Sequence, residues 1–270
     1  MTFRALTLAL ALCCASATSA DTPSILVQST TSTANSGLYD NLLPRFTEAT
    51  GIAVNVVAVG TGQAIRNAQN CDADVLLVHA KSAEEAFVAA GYGVSRQDLM
   101  YNDFVIVGPA DDPAGVAGLT DAGAALSRIA EAEALFASRG DDSGTHKKER
   151  ALWEGTGADP DAASGDWYRE TGSGMGATLN AAVGMGAYTL TDRATWLSFG
   201  NKGDVAVLVE HDPALFNQYG VILVSPDRCP DVKEEDGMAF IDWLTGRDGQ
   251  SAIAEFTIDG TQVFFPNAPE

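Results

Sequence analysis

The stretch "SILVQSTTSTANSGLYDNLLPRFTEATGIAVNVVAVGTGQAIRNAQNCDADVLLVHA", residues 24–80, decides the fold class. It opens on a short apolar run at 24–29. Between 35 and 51, Leu38, Leu42, Leu43 and Phe46 recur at helical spacing and Gly51 closes the segment. Residues 52–60 read as a β-rich strand, 62–70 as a short helix, 73–80 as a third, buried strand, and 82–91 as a further helix. Strand and helix alternate three times. Such an order implies an α/β fold with a mostly parallel sheet, whose ligands bind beyond the carboxyl ends of its strands.

The alternation continues outward from there. Strands are predicted at 103–109, 204–210 and 220–226, and helices at 121–137, 147–155 and 236–256. No Ser-, Gly- or Pro-rich linker divides the chain. The expectation is therefore two lobes woven from one chain, which crosses between them near 103–109 and again near 218–226. Lobe 1 takes 21–106 plus 221–270 and lobe 2 takes 107–220, with a cleft between them.

Composition narrows the function. The chain has 270 residues and a formal charge of -20, with 16 Lys and Arg against 36 Asp and Glu. Residues 1–20, "MTFRALTLALALCCASATSA", carry one cation at Arg4, an apolar run and a small-residue end, and read as a cleavable signal peptide for export to the periplasm. Its removal takes away Arg4 and no acid, leaving -21. So acidic a surface repels nucleic acid. Cys13 and Cys14 lack the residues that precede a lipidated cysteine. Two cysteines remain in the exported chain, Cys71 and Cys229. A single disulfide is the leading reading and two unrelated buried thiols the alternative, since neither has a second Cys or His at metal-ligand spacing.

Four polar loops stand where strands end or helices begin: "QSTTSTANSG" (28–37), "VGTGQ" (59–63), "SRGDDSGTH" (138–146) and "TGSGMG" (171–176). Unpaired amides and the positive end of the helix dipole collect at such places. Hydroxyls add neutral donors, and glycine lets backbone approach a ligand. Any one of these loops is explained equally by helix capping; four together read as an anion cradle. Arg139 supplies its fixed charge, a planar fork suited to an oxyanion, with Ser143 and Thr145 about one turn beyond. Asp141 and Asp142 would repel an anion, and are expected to orient Arg139 and cap the helix that begins near Thr145.

The segments "TTSTANSGLYDNLLPRF" (30–46), "VAVGTGQAI" (57–65), "DADVLLVHA" (72–80), "GYGVSRQDLMYNDFVIVGPADDPAG" (91–115) and "SRGDDSGTHKKE" (138–149) together closely resemble the periplasmic tungstate-binding proteins of tungstate ABC importers. The resemblance spans nearly the whole exported chain. It implies a type II periplasmic binding-protein fold, a tetrahedral oxyanion between two lobes, and delivery to a membrane permease; no cofactor and a monomeric state are further expectations. By motif it assigns the oxyanion to Thr31, Ser32, Thr61, Gly62, Arg139, Ser143, Gly144 and Thr145; Ser173, Gly174 and Met175 of the "TGSGMG" loop are candidates for additional backbone contacts that the motif does not assign. Ser29 stands where family members often carry Thr and is left outside the site.

Other classes fit less well. A serine hydrolase would need more than the "DDSGTH" loop: there is no G-x-S-x-G elbow, and His146 shares the loop of Ser143. A divalent-metal carrier built on His79, His146 and His211 lacks clustered ligand spacing, and His79, at the end of an apolar strand, reads as a structural histidine. Among ligands, an organic solute wants aromatic walls, which these loops lack. Phosphate is best recognised by an acceptor carboxylate inside the site, whereas tungstate, molybdate and sulfate want donors only. Loop chemistry does not separate tungstate from molybdate, and that choice rests on the resemblance.

Overall fold

The computed structural model describes residues 22–269, so the expected signal peptide lies outside the described residues. The chain begins as expected: β1 (Ser24–Thr30), a short α1 (Thr31–Asn35), α2 (Leu38–Thr50), β2 (Ala53–Val59), α3 (Thr61–Gln69), β3 (Val75–Val78) and α4 (Lys81–Ala89). Then follow β4 (Gly93–Pro109), α5 (Ala122–Glu131), β5 (Phe136–Ser138), α6 (Gly144–Glu154), β6 (Tyr168–Glu170), α7 (Met175–Met185), β7 (Thr189–Asp192), α8 (Arg193–Ser198) and β8 (Val205–Val209). The chain closes through β9 (Phe216–Val224), α9 (Glu234–Thr245), α10 (Arg247–Glu255) and three two-residue strands, β10 (Thr257–Ile258), β11 (Thr261–Gln262) and β12 (Phe265–Pro266).

The fold is α/β, but the expectation of mostly parallel sheets needs correcting. Strands β2, β1 and β3 lie parallel. Next to them β9 runs antiparallel to β3, and β4 antiparallel to β9, in the order β12-β4-β9-β3-β1-β2. The cause is β4. Its first part pairs with β9 from Gly93↔Val224 to Asp103↔Phe216, and its last part pairs antiparallel with β7 and β8 from Phe104 onward. One 17-residue strand thus serves two sets of partners, changing over between Asp103 and Phe104. Only its apolar end was visible in the sequence, because residues 94–98 are polar or exposed.

Alternating side chains put a core on each face of these sheets. Val75 and Leu77 pack with Ile25, Leu38, Phe46, Tyr219 and Phe240, while Leu76 and Val78 pack with Ala64, Phe87 and Ile222. In β4, Phe104 and Ile106 join Phe136, Trp153, Tyr168 and Tyr188, whereas Val105 and Val107 join Met175, Leu179 and Trp196. Because helices cover both faces of β3, that strand reads as a continuous apolar run. Cys71, just after α3, is bonded to Cys229, just after β9, across 158 residues of chain.

Two helix expectations overran. The predicted helix at 121–137 stops at Glu131, and Phe136 and Ala137 belong to β5. Glu133 adopts left-handed φ of 47°, and the Ala134 amide bonds back to Ile129, which is a Schellman stop made without its usual glycine. The predicted helix at 236–256 divides at Gly246 into α9 and α10.

Candidate functional site

The loops meet where β1, β2 and β3 end, opposite the start of α6. Ten residues surround a tight space with no room for a water molecule in this conformation: Thr30, Thr31, Ser32, Val59, Gly60, Thr61, His79, Arg139, Ser143 and Gly144. Six of the residues assigned by motif are among them: Thr31, Ser32, Thr61, Arg139, Ser143 and Gly144. Gly62 and Thr145 are neighbours in sequence outside this lining. Ser173, Gly174 and Met175 also lie outside it, and the Ser173 amide donates to the Arg139 carbonyl at 3.2 Å.

Three helix starts face this space, each built differently. Thr30 caps α1, its Oγ1 accepting from the Thr33 amide at 3.4 Å and sharing a 2.7 Å hydrogen bond with the Thr33 hydroxyl. Gly60 caps α3 without a side chain, so no cap claims the first amides of that helix. Ser143 caps α6, its Oγ accepting from the His146 amide at 3.1 Å. Ser143 therefore does the capping expected of Asp141 and Asp142. This also disposes of the hydrolase arrangement: Ser143 Oγ serves the backbone, and His146 Nδ1 accepts from the Asp142 amide at 3.2 Å.

Gly144 is the point of closest approach. Its amide donates to Thr61 Oγ1 at 2.9 Å, which leaves the Thr61 hydroxyl hydrogen for another acceptor. A Cβ on Gly144 would lie 2.8 Å from His79 Cε1 and 2.9 Å from Thr61 Oγ1, so a larger residue could not sit there unshifted. Beside it the Thr145 hydroxyl is buried with no hydrogen-bond partner among the described residues.

Arg139 is 3% exposed. Its Nε and Nη2 donate to Asp141 Oδ2 at 3.1 and 2.5 Å, while Nη1 has no acceptor among the described residues. Asp141 thus orients the guanidinium, as expected. Asp142 does something else: it bonds Lys147 and lies 3.5 Å from Arg66 of α3. Among the described residues, no carboxylate belongs to the lining of the space. The site offers hydroxyls, helix-start amides and one cation.

His79 was read from the sequence as structural, yet it lines the space. Its Nδ1 lies 3.2 Å from Asn217 Oδ1, its Nε2 lies 3.2 Å from Ser32 Oγ, and its ring packs 4.8 Å from that of Tyr219. Asn217 Nδ2 in turn donates to Asn102 Oδ1 at 2.6 Å, joining β9 to β4. With the Asn217 amide so turned, the ring proton sits on Nδ1, and Nε2 accepts from the Ser32 hydroxyl. Burial lowers the His79 pKa to about 4 against the pull of the Asn217 bond, and the Arg139 charge lowers it further. The histidine is neutral at pH 7. The signal that could have found it was its position at the carboxyl end of β3, the same rule that selected the loops.

This arrangement has relatives. The family described as PBP superfamily domain matches residues 15–248. The tungstate-binding protein TupA of Peptoclostridium acidaminophilum is 50% identical over 249 residues, covering 91% of this chain and 86% of that one. The solved structure of the tungstate-binding protein TupA from Desulfovibrio alaskensis G20 is 48% identical with a TM-score of 0.79, over 92% of this chain and all of the other. The solved structure of the tungstate ABC transporter protein from Geobacter sulfurreducens is 46% identical, also with a TM-score of 0.79, over 86% of this chain and 98% of the other. The chain belongs to the PBP superfamily and, within it, to the family of the TupA tungstate-binding proteins.

Proposed function

We propose that this protein binds tungstate in the space between the α1, α3 and α6 starts and delivers it to an ABC permease, as a carrier and not an enzyme. The observation that carries the reading is the lining of Arg139, hydroxyls and helix-start amides, in which no carboxylate stands among the described residues, while Asp141 is engaged by Arg139 Nε and Nη2. A tetrahedral dianion needs many donors, whereas a protonated phosphate is best recognised by an acceptor carboxylate, which this lining lacks among the described residues. The buried, partnerless Thr145 hydroxyl and the unused Arg139 Nη1 supply further donors. The choice of tungstate over molybdate follows the relatives' names. The binding set we assign is Thr31, Ser32 through its helix-start amide, Thr61, Gly62, Arg139, Ser143, Gly144 and Thr145, with His79 added because it takes the Ser32 hydroxyl proton and fixes that residue.

The proposed architecture is two lobes, 21–106 plus 221–270 and 107–220, closing on the anion. Separate cores on either side of the β4 changeover support two lobes, although Phe104 and Ile106 pack with Phe136 and Tyr188 and so side with the second lobe. Export to the periplasm follows from the signal-peptide reading, and a monomer is the proposed state. Dialysis of the exported protein against sodium tungstate, followed by native mass spectrometry, tests the function: one tungstate should be retained per chain. Retention of Zn²⁺ or Ca²⁺ with no tungstate would overturn it.

A further inference from the structure

The chain has only five lysines, and three of them, Lys81, Lys147 and Lys148, line one open cleft of about 510 Å³. This cleft shares two wall residues, His79 and Gly144, with the small enclosed space. The chain has 36 acidic residues, yet no carboxylate lines the cleft among the described residues. Two of the ammonium groups are partly balanced: Lys147 by Asp142, and Lys81 by Glu85 at 4.0 Å. Lys148 has no acidic partner within ion-pair distance among the described residues. Its half-buried ammonium is held below its ordinary pKa by desolvation, opposed only by the charge of Asp212.

A dianion approaching a protein of formal charge -20 meets repulsion over most of the surface. At ~0.1 M salt the Debye length is about 10 Å, so a nearby cluster of cations outweighs distant acids. Lysine suits a passing contact: its compact, strongly hydrated charge attracts an anion without the fork that fixes one in place. We propose that the Lys81, Lys147 and Lys148 cleft is a cationic vestibule, which captures a hydrated oxyanion and passes it along the His79 and Gly144 wall to the inner site. The vestibule raises the association rate, and Lys148 supplies most of the uncompensated charge. The inference rests on the oxyanion-binding reading above.

Stopped-flow measurement of tungstate association against ionic strength tests it. Joint Lys81→Gln, Lys147→Gln and Lys148→Gln replacement should lower kon about tenfold at low salt and flatten its salt dependence, with koff unchanged. Lys148→Gln alone should reproduce most of the loss, and Lys148→Arg should restore the rate. A charge-matched control, Arg128→Gln with Arg169→Gln and Arg247→Gln, changes residues outside the cleft lining and should leave kon near wild type. Wild-type kon in the triple-lysine variant, an equal loss in the control, or a change confined to koff would overturn the vestibule while tungstate binding stands. Failure of the wild-type protein to bind tungstate would instead remove both readings.

Discussion

The amide of Gly144 donates to Thr61 Oγ1 at 2.9 Å, although 83 residues of chain separate them. The bond joins the start of α6 to the start of α3 and is made at the wall of the enclosed space. Thr61 is at once a tie between two helix starts and a donor to whatever lies within, so its replacement should affect both roles. Thr61→Val is expected to weaken tungstate binding by about 1 kcal/mol, roughly fivefold in Kd, while Thr61→Ser stays close to wild type. Calorimetric titration of the two variants checks this.

Gly144→Ala is the steric counterpart. The added Cβ must push against His79 and Thr61 at under 3 Å, whereas a Cβ on Gly174 would meet nothing within 4 Å. The expected outcome is a loss of affinity of more than tenfold for Gly144→Ala and little change for Gly174→Ala. Equal affinities for the two variants would show that the approach at Gly144 does not shape the site.

Arg139 is expected to be the largest single contributor. Arg139→Gln should cost about 1.5–3 kcal/mol of binding, roughly ten- to over a hundredfold in Kd. Arg139→Lys should also bind more weakly, because it keeps the charge but loses the fork that Asp141 orients. Full affinity in Arg139→Gln, with only a lower melting temperature, would make the residue a structural partner of Asp141.

Burial of neutral His79 predicts acid sensitivity. The unfolded chain takes up this proton as the pH falls below about 6.5, while the folded protein resists until about 4. The stabilisation is therefore complete above 6.5 and is lost as pH falls toward 4. A shift of this size is on the order of 3 kcal/mol. Melting curves between pH 7 and 4 should fall less steeply for His79→Gln than for wild type. Parallel curves would contradict the assignment.

The disulfide should act on stability and not on binding. Cys71 and Cys229 follow α3 and β9, elements that pack into one core with Ala64, Phe87 and Ile222. Reduction should lower the unfolding free energy by about 2–4 kcal/mol and leave tungstate affinity nearly intact. A large loss of affinity on reduction would show that the bridge also sets the site.

Much of the first half of the molecule was legible because β1 to α4 alternate between apolar strand runs and helical spacing. The second half was less so. Phe136 and Ala137 looked like the end of a helix because the actual stop uses Glu133 where glycine is usual. The polar first part of β4 hid both a long strand and the antiparallel pairing that makes the sheet mixed. Around the site, Arg139 and the hydroxyl loops announced themselves by residue type. His79 had no distinctive spacing, and its one signal was its place at the carboxyl end of β3; its bonds to Ser32 and Asn217 show where it faces.

Titration calorimetry of the wild-type protein with tungstate, molybdate, sulfate and phosphate tests the central claim most directly. A cationic, hydroxyl-rich lining without a carboxylate predicts saturable binding of one tungstate per chain, with phosphate bound far more weakly. Absence of tungstate binding, or tighter binding of phosphate than of tungstate, would contradict it.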